Sequence, residues 1–551
     1  MEQRVYKTLP FTLAILTLLA FLPALRNDFV NWDDPTNFID NLNYRGLGWS
    51  QLHWMWTSHL LNRYIPITWM TLGLDYNIWG MDPLGYHLTS ILWHIANALV
   101  FYWLALALFR RAIPDGAVDL QARIPLGAFF AALMFALHPL RVESVAWVTE
   151  RRDLVSGLFY LLAILVYVRG VQNTSGRPID RKHYWGCFAL FVVAILSKEM
   201  VVTLPVVLLI LDVYPLRRLG GSPSHWFSTE TRRVWLEKIP FFAVSIADSA
   251  LALYVGYHEE GGQSFSHVSP AGRFAISIYG LAFYLWKTLA PIHLSPMHAL
   301  TAHRIDLRGL PFQLSAVVVV WIIAAALILR RRFPAIPAVA LAYAVTLLPV
   351  LGIFHNGHQI TADRYSYLAC LGWAFLAGAA LLLAWKTWKS AATPYAMTVV
   401  ALCAGVLGFL TWRQVQVWRD SETLWKYCIA TDPSSIAYNN LGGMMAQQGD
   451  LIGAIEYLRR AVELDDSNGQ AHNNFGNALL HLQDWDSAAR EFEAAKAIIP
   501  DVANVHWGLG CARMEQGRLD EAVREFQEAL RLNPNDLDSR RKLDRLLQQK
   551  K

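Results

Sequence analysis

Two adjacent carboxylates, Asp33 and Asp34, stand in the stretch FVNWDDPTNFIDN, directly after a run of mostly apolar residues. One explanation is local: Asp before Pro starts a helix well, with Asp34 as N-cap and Pro35 as the first helical residue. That leaves Asp33, which on the usual preference of carboxylates for water reads as a solvated loop residue. Further along, HPLRVESVAWVTERRD spaces Glu143, Trp147 and Arg151 four residues apart, which puts them on one face if the stretch is helical. A simple surface ladder of paired charges has the same spacing. Lys198 with Glu199, and Asp363 with Arg364, set opposite charges side by side at the ends of apolar segments, as interfacial ion pairs also do. His355 and His358 are three apart, as metal ligands can be, but no third ligand is near. An acid on one loop and bases on neighbouring loops suit sugar transfer from a phosphate-linked donor. The phosphate is already a good leaving group, so the step needs a base for the acceptor hydroxyl and cations to hold the growing charge. Arg clamps a phosphate better than Lys.

The elements that position these residues follow from composition. At 551 residues, with 54% hydrophobic, 13% aromatic and 17% charged, the chain is too apolar for an ordinary soluble protein. The apolar residues form eleven blocks near 8–25, 86–109, 124–139, 154–170, 185–198, 200–214, 236–256, 313–330, 335–353, 366–386 and 394–412, each near membrane-spanning length. The first block lacks a small-residue cleavage site and reads as a retained helix. Basic runs at Arg110 and Arg111, at Arg177, Arg181 and Lys182, at Arg217, Arg218, Arg232 and Arg233, at Arg330 to Arg332 and at Lys386 and Lys389 all fall on the inner side. Residues 271–291 fit this scheme only as a re-entrant or surface-lying helix. The acids and bases then gather on the outer face, where a polar site belongs. Most of the 22 Trp read as interfacial belts. The five cysteines are scattered and suggest neither a disulfide framework nor a metal site.

Beyond residue 412 the chain is polar and repeats with a period of 34 residues. Leu441, Gly442, Ala454, Leu458 and Ala461 recur as Phe475, Gly476, Ala488, Phe492 and Ala495, and again as Leu509, Gly510, Ala522, Phe526 and Ala529. This is the tetratricopeptide pattern of paired helices. Residues 413–434 read as half a unit joining the last span to the array, 435–536 as three repeats and 537–551 as a capping helix. The expected fold is therefore all-α: a polytopic membrane domain over 1–412, with a first outer loop at 26–85, followed by a repeat solenoid on the outer face.

NWDD after the first span, HPLRVESVAWVTERRDLVSGLFYLLAILVY, LSKEMVVTLPVVLLILDVYPLRR, YLWKTLAPIHLSP, ADRYSYLACLG and the C-terminal repeats together resemble the transmembrane and tetratricopeptide repeat (TMTC) family of protein O-mannosyltransferases and their bacterial relatives. The resemblance covers nearly the whole chain. It implies a GT-C superfamily membrane domain of about eleven spans that uses a polyprenyl-phosphate sugar in an inverting transfer. The first residue of the paired-acid motif falls on Asp33 as catalytic base, with Asp34 in support. The family's later motifs fall on His138, Pro139 and Glu143, on Arg152 and Asp153, on Lys198 and Glu199, and on Asp363 and Arg364; with Arg151 these are the expected donor-phosphate or supporting residues. Two positions depart from the pattern, Asp363 standing for Glu and Arg141 for His.

The expected activity is transfer of mannose or a similar sugar to a protein Ser or Thr hydroxyl. The repeat groove, including Asn439, Asn440, Asn473 and Asn474, would engage the acceptor. The expected setting is a bacterial inner membrane with site and repeats facing the periplasm. No cofactor is required, since the lipid-linked sugar is a substrate; the carboxylate pair could hold a divalent ion, but the spacing calls for none, and nothing points to nucleic acid. Two rival readings stand beside this: transfer to a glycolipid or cell-wall polymer, and a non-catalytic scaffold whose repeats recruit envelope proteins. Transport fits least, because no inverted repeat is visible.

Overall fold

The computed structural model of the chain describes residues 2–171, 178–220, 222–259, 269–299, 309–353, 359–388 and 393–549. His355 and His358 lie outside them. The chain is all-α and divides into two units, Met1–Asp420 and Ser421–Lys551. Among the described residues the one sheet is a short antiparallel pairing of His298–Ala299 with Gln359–Thr361.

In the first unit each expected apolar block falls on helix. Among the described residues, seven helices are long and apolar enough to cross a membrane, and an eighth counts if the bent pair Asp363–Ala369 and Leu371–Thr387 is one span. Several of the eleven expected blocks are thus shorter or bent helices. Arg181–Ile195 and Leu204–Val213 are short of the roughly 20 residues that a straight crossing takes, and Ala335–Val350 is likewise a shorter apolar helix. The block near 366–386 is not one straight helix either, because it turns by 56° at Cys370. Residues 271–291 form the helix Pro270–Leu289, which is not among the seven.

The centre of this unit is the helix Pro83–Ala112, packed against Arg151–Gly170 and Val118–Ala136. It starts where Asp82 accepts a hydrogen bond from Leu84 N and Pro83 fills the first turn. It ends on Arg110 and Arg111, whose charge suits the carbonyl end. Arg111 also donates to the carbonyls of Val168 and Val171 at 3.2 and 2.7 Å, which caps the neighbouring helix. The helix Leu371–Trp388 reaches Val118–Ala136 through two glycines. A Cβ on Gly378 would lie 2.5 Å from the carbonyl oxygen of Gly127, so only glycine permits the approach. Elsewhere in this unit buried Asp212 accepts from the Tyr167 hydroxyl at 2.7 Å and pairs with Lys238 at 2.8 Å and with Arg218 at 3.3 Å. The stretch 26–85, expected as a loop, carries the helices Trp49–Thr57 and Pro66–Trp79. They fold over Phe38, Tyr44, Trp69 and Tyr86, an aromatic core of their own.

The second unit has eight helices from Ser421–Thr431 to Leu537–Gln549, the middle six forming three antiparallel pairs. The glycine of each pair admits the large side chain expected opposite it. A Cβ on Gly442, Gly476 or Gly510 would lie within 3.0 Å of Leu458, Phe492 or Phe526 respectively. The turn inside each pair needs a left-handed residue, and the three repeats place Gly449 at φ 90°, Gln483 at φ 63° and Gly517 at φ 76° there. A side chain in that conformation costs about 1 kcal/mol. The substitution Gln483→Gly is expected to stabilise the repeat unit by about 0.5–1 kcal/mol, read as a rise in the denaturant midpoint of the full chain; an unchanged or lower midpoint would contradict the strain.

Two histidines one repeat apart are held alike. His472 bonds Glu491 through Nδ1 at 2.7 Å and the Asp466 carbonyl through Nε2 at 3.0 Å, and His506 bonds Glu525 and the Pro500 carbonyl at 2.7 and 2.8 Å. With an acceptor at each nitrogen, the imidazolium satisfies both bonds. Chiefly through the glutamate bonds, both histidines are raised above the ordinary histidine pKa. Their contribution to stability is therefore full below the unfolded value of about 6.5 and is lost as pH rises through the higher folded value. Amide exchange of Gly469–His481 and Ala503–Glu515 is expected to speed up over that interval in the wild type. The response should disappear in His472→Gln/His506→Gln.

Candidate active site

The two acids of the first outer stretch have different environments. Asp34 is buried, its Oδ1 accepting from Trp147 Nε1 at 3.0 Å and from the Thr149 hydroxyl at 2.6 Å, its Oδ2 from Val30 N at 2.9 Å. It precedes the short helical turn Pro35–Ile39, but its side chain makes no capping bond there. The expected N-cap role is thus corrected: the carboxylate points back to its own loop and to 147–149 instead of forward to the turn. Burial pushes its pKa up to about 7, against the hydrogen bonds that lower it. Asp33 keeps 27% of its side chain exposed, and its Oδ2 stands 3.9 Å from Arg63 Nη1. Trp32 stacks on Trp147 at 4.7 Å, and Trp147 on Trp418 at 5.5 Å, while Asp28 N donates to the Arg419 carbonyl at 2.8 Å. The acid loop is so fixed between 147–149 and the end of the last long helix of this unit.

Behind the acids lies a buried set of charges. Glu150 is fully buried and meets three cations: Arg152, Lys198 at 3.1 Å and Arg364 Nε at 3.1 Å. Arg364 also pairs with Glu143, which accepts from Arg364 N at 2.8 Å. Lys198 donates to Asp153 at 2.7 Å, and Asp153 accepts from the Ser144 hydroxyl at 3.0 Å. Glu143, Arg152, Asp153, Lys198 and Arg364 are thereby one network, while Glu199 is half-buried beside Lys198 and acts on Arg63 through its charge.

One expectation is corrected. Glu143, Trp147 and Arg151 do not share a helical face, because the backbone breaks into a turn at Pro139–Arg141, the helix Val142–Ala146, a turn at Val148–Glu150 and a new helix from Arg151. Each side chain therefore takes a separate partner. Arg151 is not in the charge network: it bonds Asp75 at 2.8 Å, the Ser90 hydroxyl at 3.0 Å and the Tyr86 carbonyl at 2.7 Å. His138 caps a turn, Nδ1 accepting from Leu140 N and Nε2 bonding the Thr288 carbonyl at 3.0 Å. Burial and nearby Arg141 push its pKa down to about 3, so it stays neutral. In the repeats Asn439 and Asn473 are buried, accepting from Asn474 at 2.9 Å and Asn504 at 3.4 Å. These amides join neighbouring repeats; Asn440 and Asn474 are half-buried.

Sequence reasoning passed over Glu150, Arg63, Asp75 and Thr149. Glu150 was one of two acids in TERRD, and Arg63 sits in a loop with no motif. The structure lines one crevice with Arg63, Arg152, Thr149 and Asn37. Leu61 and Asn62, at φ 52° and 61°, turn the chain that presents Arg63. Among the described residues no three His, Cys, Asp or Glu side chains gather as a metal-ion set.

Removing Glu150 would take a buried carboxylate from three buried cations, of which Lys198 would keep Asp153 and Arg364 would keep Glu143 while Arg152 would lose the carboxylate it is bonded to. Glu150→Ala is expected to cost about 3–5 kcal/mol, seen as loss of folded protein on size-exclusion chromatography in detergent, whereas Asp33→Asn at a half-exposed position should elute as wild type. Equal behaviour of the two variants would contradict the network's structural role.

Three tetratricopeptide repeat families match the C-terminal part, over 414–469, 445–509 and 503–536. Across most of the chain the relatives are TMTC proteins. Protein O-mannosyl-transferase TMTC4 of Mus musculus is 25% identical over 81% of this chain and 65% of its own length. Protein O-mannosyl-transferase TMTC1 of Homo sapiens is 26% identical over 82% of this chain and 54% of its own. Protein O-mannosyl-transferase Tmtc3 of Drosophila melanogaster is 30% identical over a shorter 29% of this chain and 18% of its own. The chain thus spans between about half and two thirds of the length of the relatives it matches most fully. Helical membrane unit and repeats together, the chain is similar to the TMTC family over about four fifths of its length.

Proposed function

We propose that the chain is a GT-C type integral-membrane glycosyltransferase that moves a sugar, mannose or one like it, from a polyprenyl-phosphate donor to a Ser or Thr hydroxyl of a protein on the outer face of a bacterial inner membrane. The observation that carries this is the division of labour between the paired acids: Asp34 buried and bonded on both oxygens, Asp33 half-exposed beside Arg63. In this reading Asp33 takes the proton from the acceptor hydroxyl, whose oxygen attacks the anomeric carbon as the bond to the phosphate oxygen breaks. The anomeric centre inverts, and the phosphate leaves on the lipid with its added charge. Arg63 is the cation placed to meet that charge, since Arg152, Lys198 and Arg364 are each paired with buried carboxylates. Those pairs hold the wall behind the site without moving. The repeats, in the same reading, engage the acceptor protein. No cofactor enters the step.

The test uses the full chain in lipid nanodiscs with radiolabelled polyprenyl-phosphate-mannose and envelope extract. Wild type is expected to label protein bands and Asp33→Asn to lose about 10²–10⁴-fold in rate while remaining folded. Deleting 435–551 should abolish labelling of protein; label on lipid or polymer that survives the deletion would instead support transfer to those acceptors. Silence of wild type with a panel of donor sugars would overturn the proposal in favour of a scaffold.

A further inference from the structure

Away from the acids, the first unit contains a cavity of about 720 Å³, well inside the range of ligand sites. It follows the helix Leu371–Trp388 lengthwise and is closed on other sides by the end of Pro83–Ala112, the middle of Arg151–Gly170, Leu204–Val213 and Ala335–Leu347. Its walls are almost wholly Leu, Ile, Val, Ala and Phe. At one end, where Leu371–Trp388 finishes and Ala335–Leu347 begins, Arg332 and Lys386 are the two charged residues of the lining. Both are exposed, and neither has a carboxylate partner among the described residues. The Arg332 guanidinium rests on the ring of its neighbour Phe333, at 5.4 Å.

An apolar slot that ends in two cations and holds no acid is complementary to an amphiphile with an anionic head. We propose that this cavity is a binding site for an anionic phospholipid, its acyl chains lying along Leu371–Trp388 and its phosphate held by Arg332 and Lys386. The location supports a bilayer lipid as occupant. The cations belong to the basic runs at Arg330 to Arg332 and at Lys386, assigned to one membrane face with Arg110 and Arg111, and the anionic lipids of such a face are drawn to clustered Lys and Arg. Leu368 and Ala369 of the lining directly follow the turn Asp363–Tyr365 that carries Arg364, so the lipid would brace the segment that leads to Arg364. This inference does not depend on the transferase reading.

The full chain, purified in detergent and supplied with equal phosphatidylglycerol and phosphatidylcholine, is read by native mass spectrometry. Wild type is expected to retain phosphatidylglycerol about tenfold over phosphatidylcholine. In Arg332→Gln/Lys386→Gln, both surface positions, that ratio should fall to near one. Ala342→Trp, which keeps both cations but fills the slot, should reduce adducts of both lipids. Equal retention of the two lipids by wild type, an unchanged ratio in the double variant, or displacement of phosphatidylglycerol by equimolar polyprenyl phosphate would each overturn the proposal.

Discussion

The buried carboxylate of Glu150 is the constraint on which the membrane unit depends. An isolated carboxylate carried into a protein interior is prohibitively costly, and so are isolated Arg and Lys. Here Arg152, Lys198 and Arg364 converge on one acid from three stretches of chain that are far apart in sequence. Glu143 and Asp153 complete the neutralisation. Any displacement of one stretch would leave charge unpaired, so the network sets the relative positions of 143–153, of the turn after Arg181–Ile195 and of the bend at Cys370.

The acid loop is referenced to the same stretch by different forces. Trp147 stacks on Trp32 and donates to Asp34, and Thr149 donates to Asp34 as well. Six residues, 145–150, thus connect the charge network to the paired acids. Their helix breaks are what allow this. A continuous helix would send Glu143, Trp147 and Arg151 to one side, whereas the turn at Val148–Glu150 sends them to Arg364, Asp34 and Asp75. Arg63 enters on a loop whose Leu61 and Asn62 are left-handed, and Asp33 and Arg63 are both only partly buried, 3.9 Å apart.

The repeat unit works on a simpler principle. Each pair of helices packs because a glycine faces a Leu or Phe, the second and third pairs are also tied internally by a histidine bonded to a glutamate, and each pair joins the next through buried amides. Local spacing dictates nearly all of it.

That difference explains what the sequence by itself determined. The 34-residue period, the glycine positions and the capping helix follow from short-range pattern, because in a solenoid each unit touches only its neighbours. Apolar blocks and basic runs likewise located the helices of the membrane unit, since length and hydropathy are local quantities. The paired acids stood out by chemistry, but their order of importance rested on a resemblance. Only the tertiary structure decided which acid is buried, that Arg151 serves Asp75, that His138 is a neutral cap, and that Glu150 is the hub of the charges. It also decided where helices stop short or bend. These are matters of burial and of partners hundreds of residues away, as Arg364 is from Glu143, and no window of sequence holds both sides of such a pair.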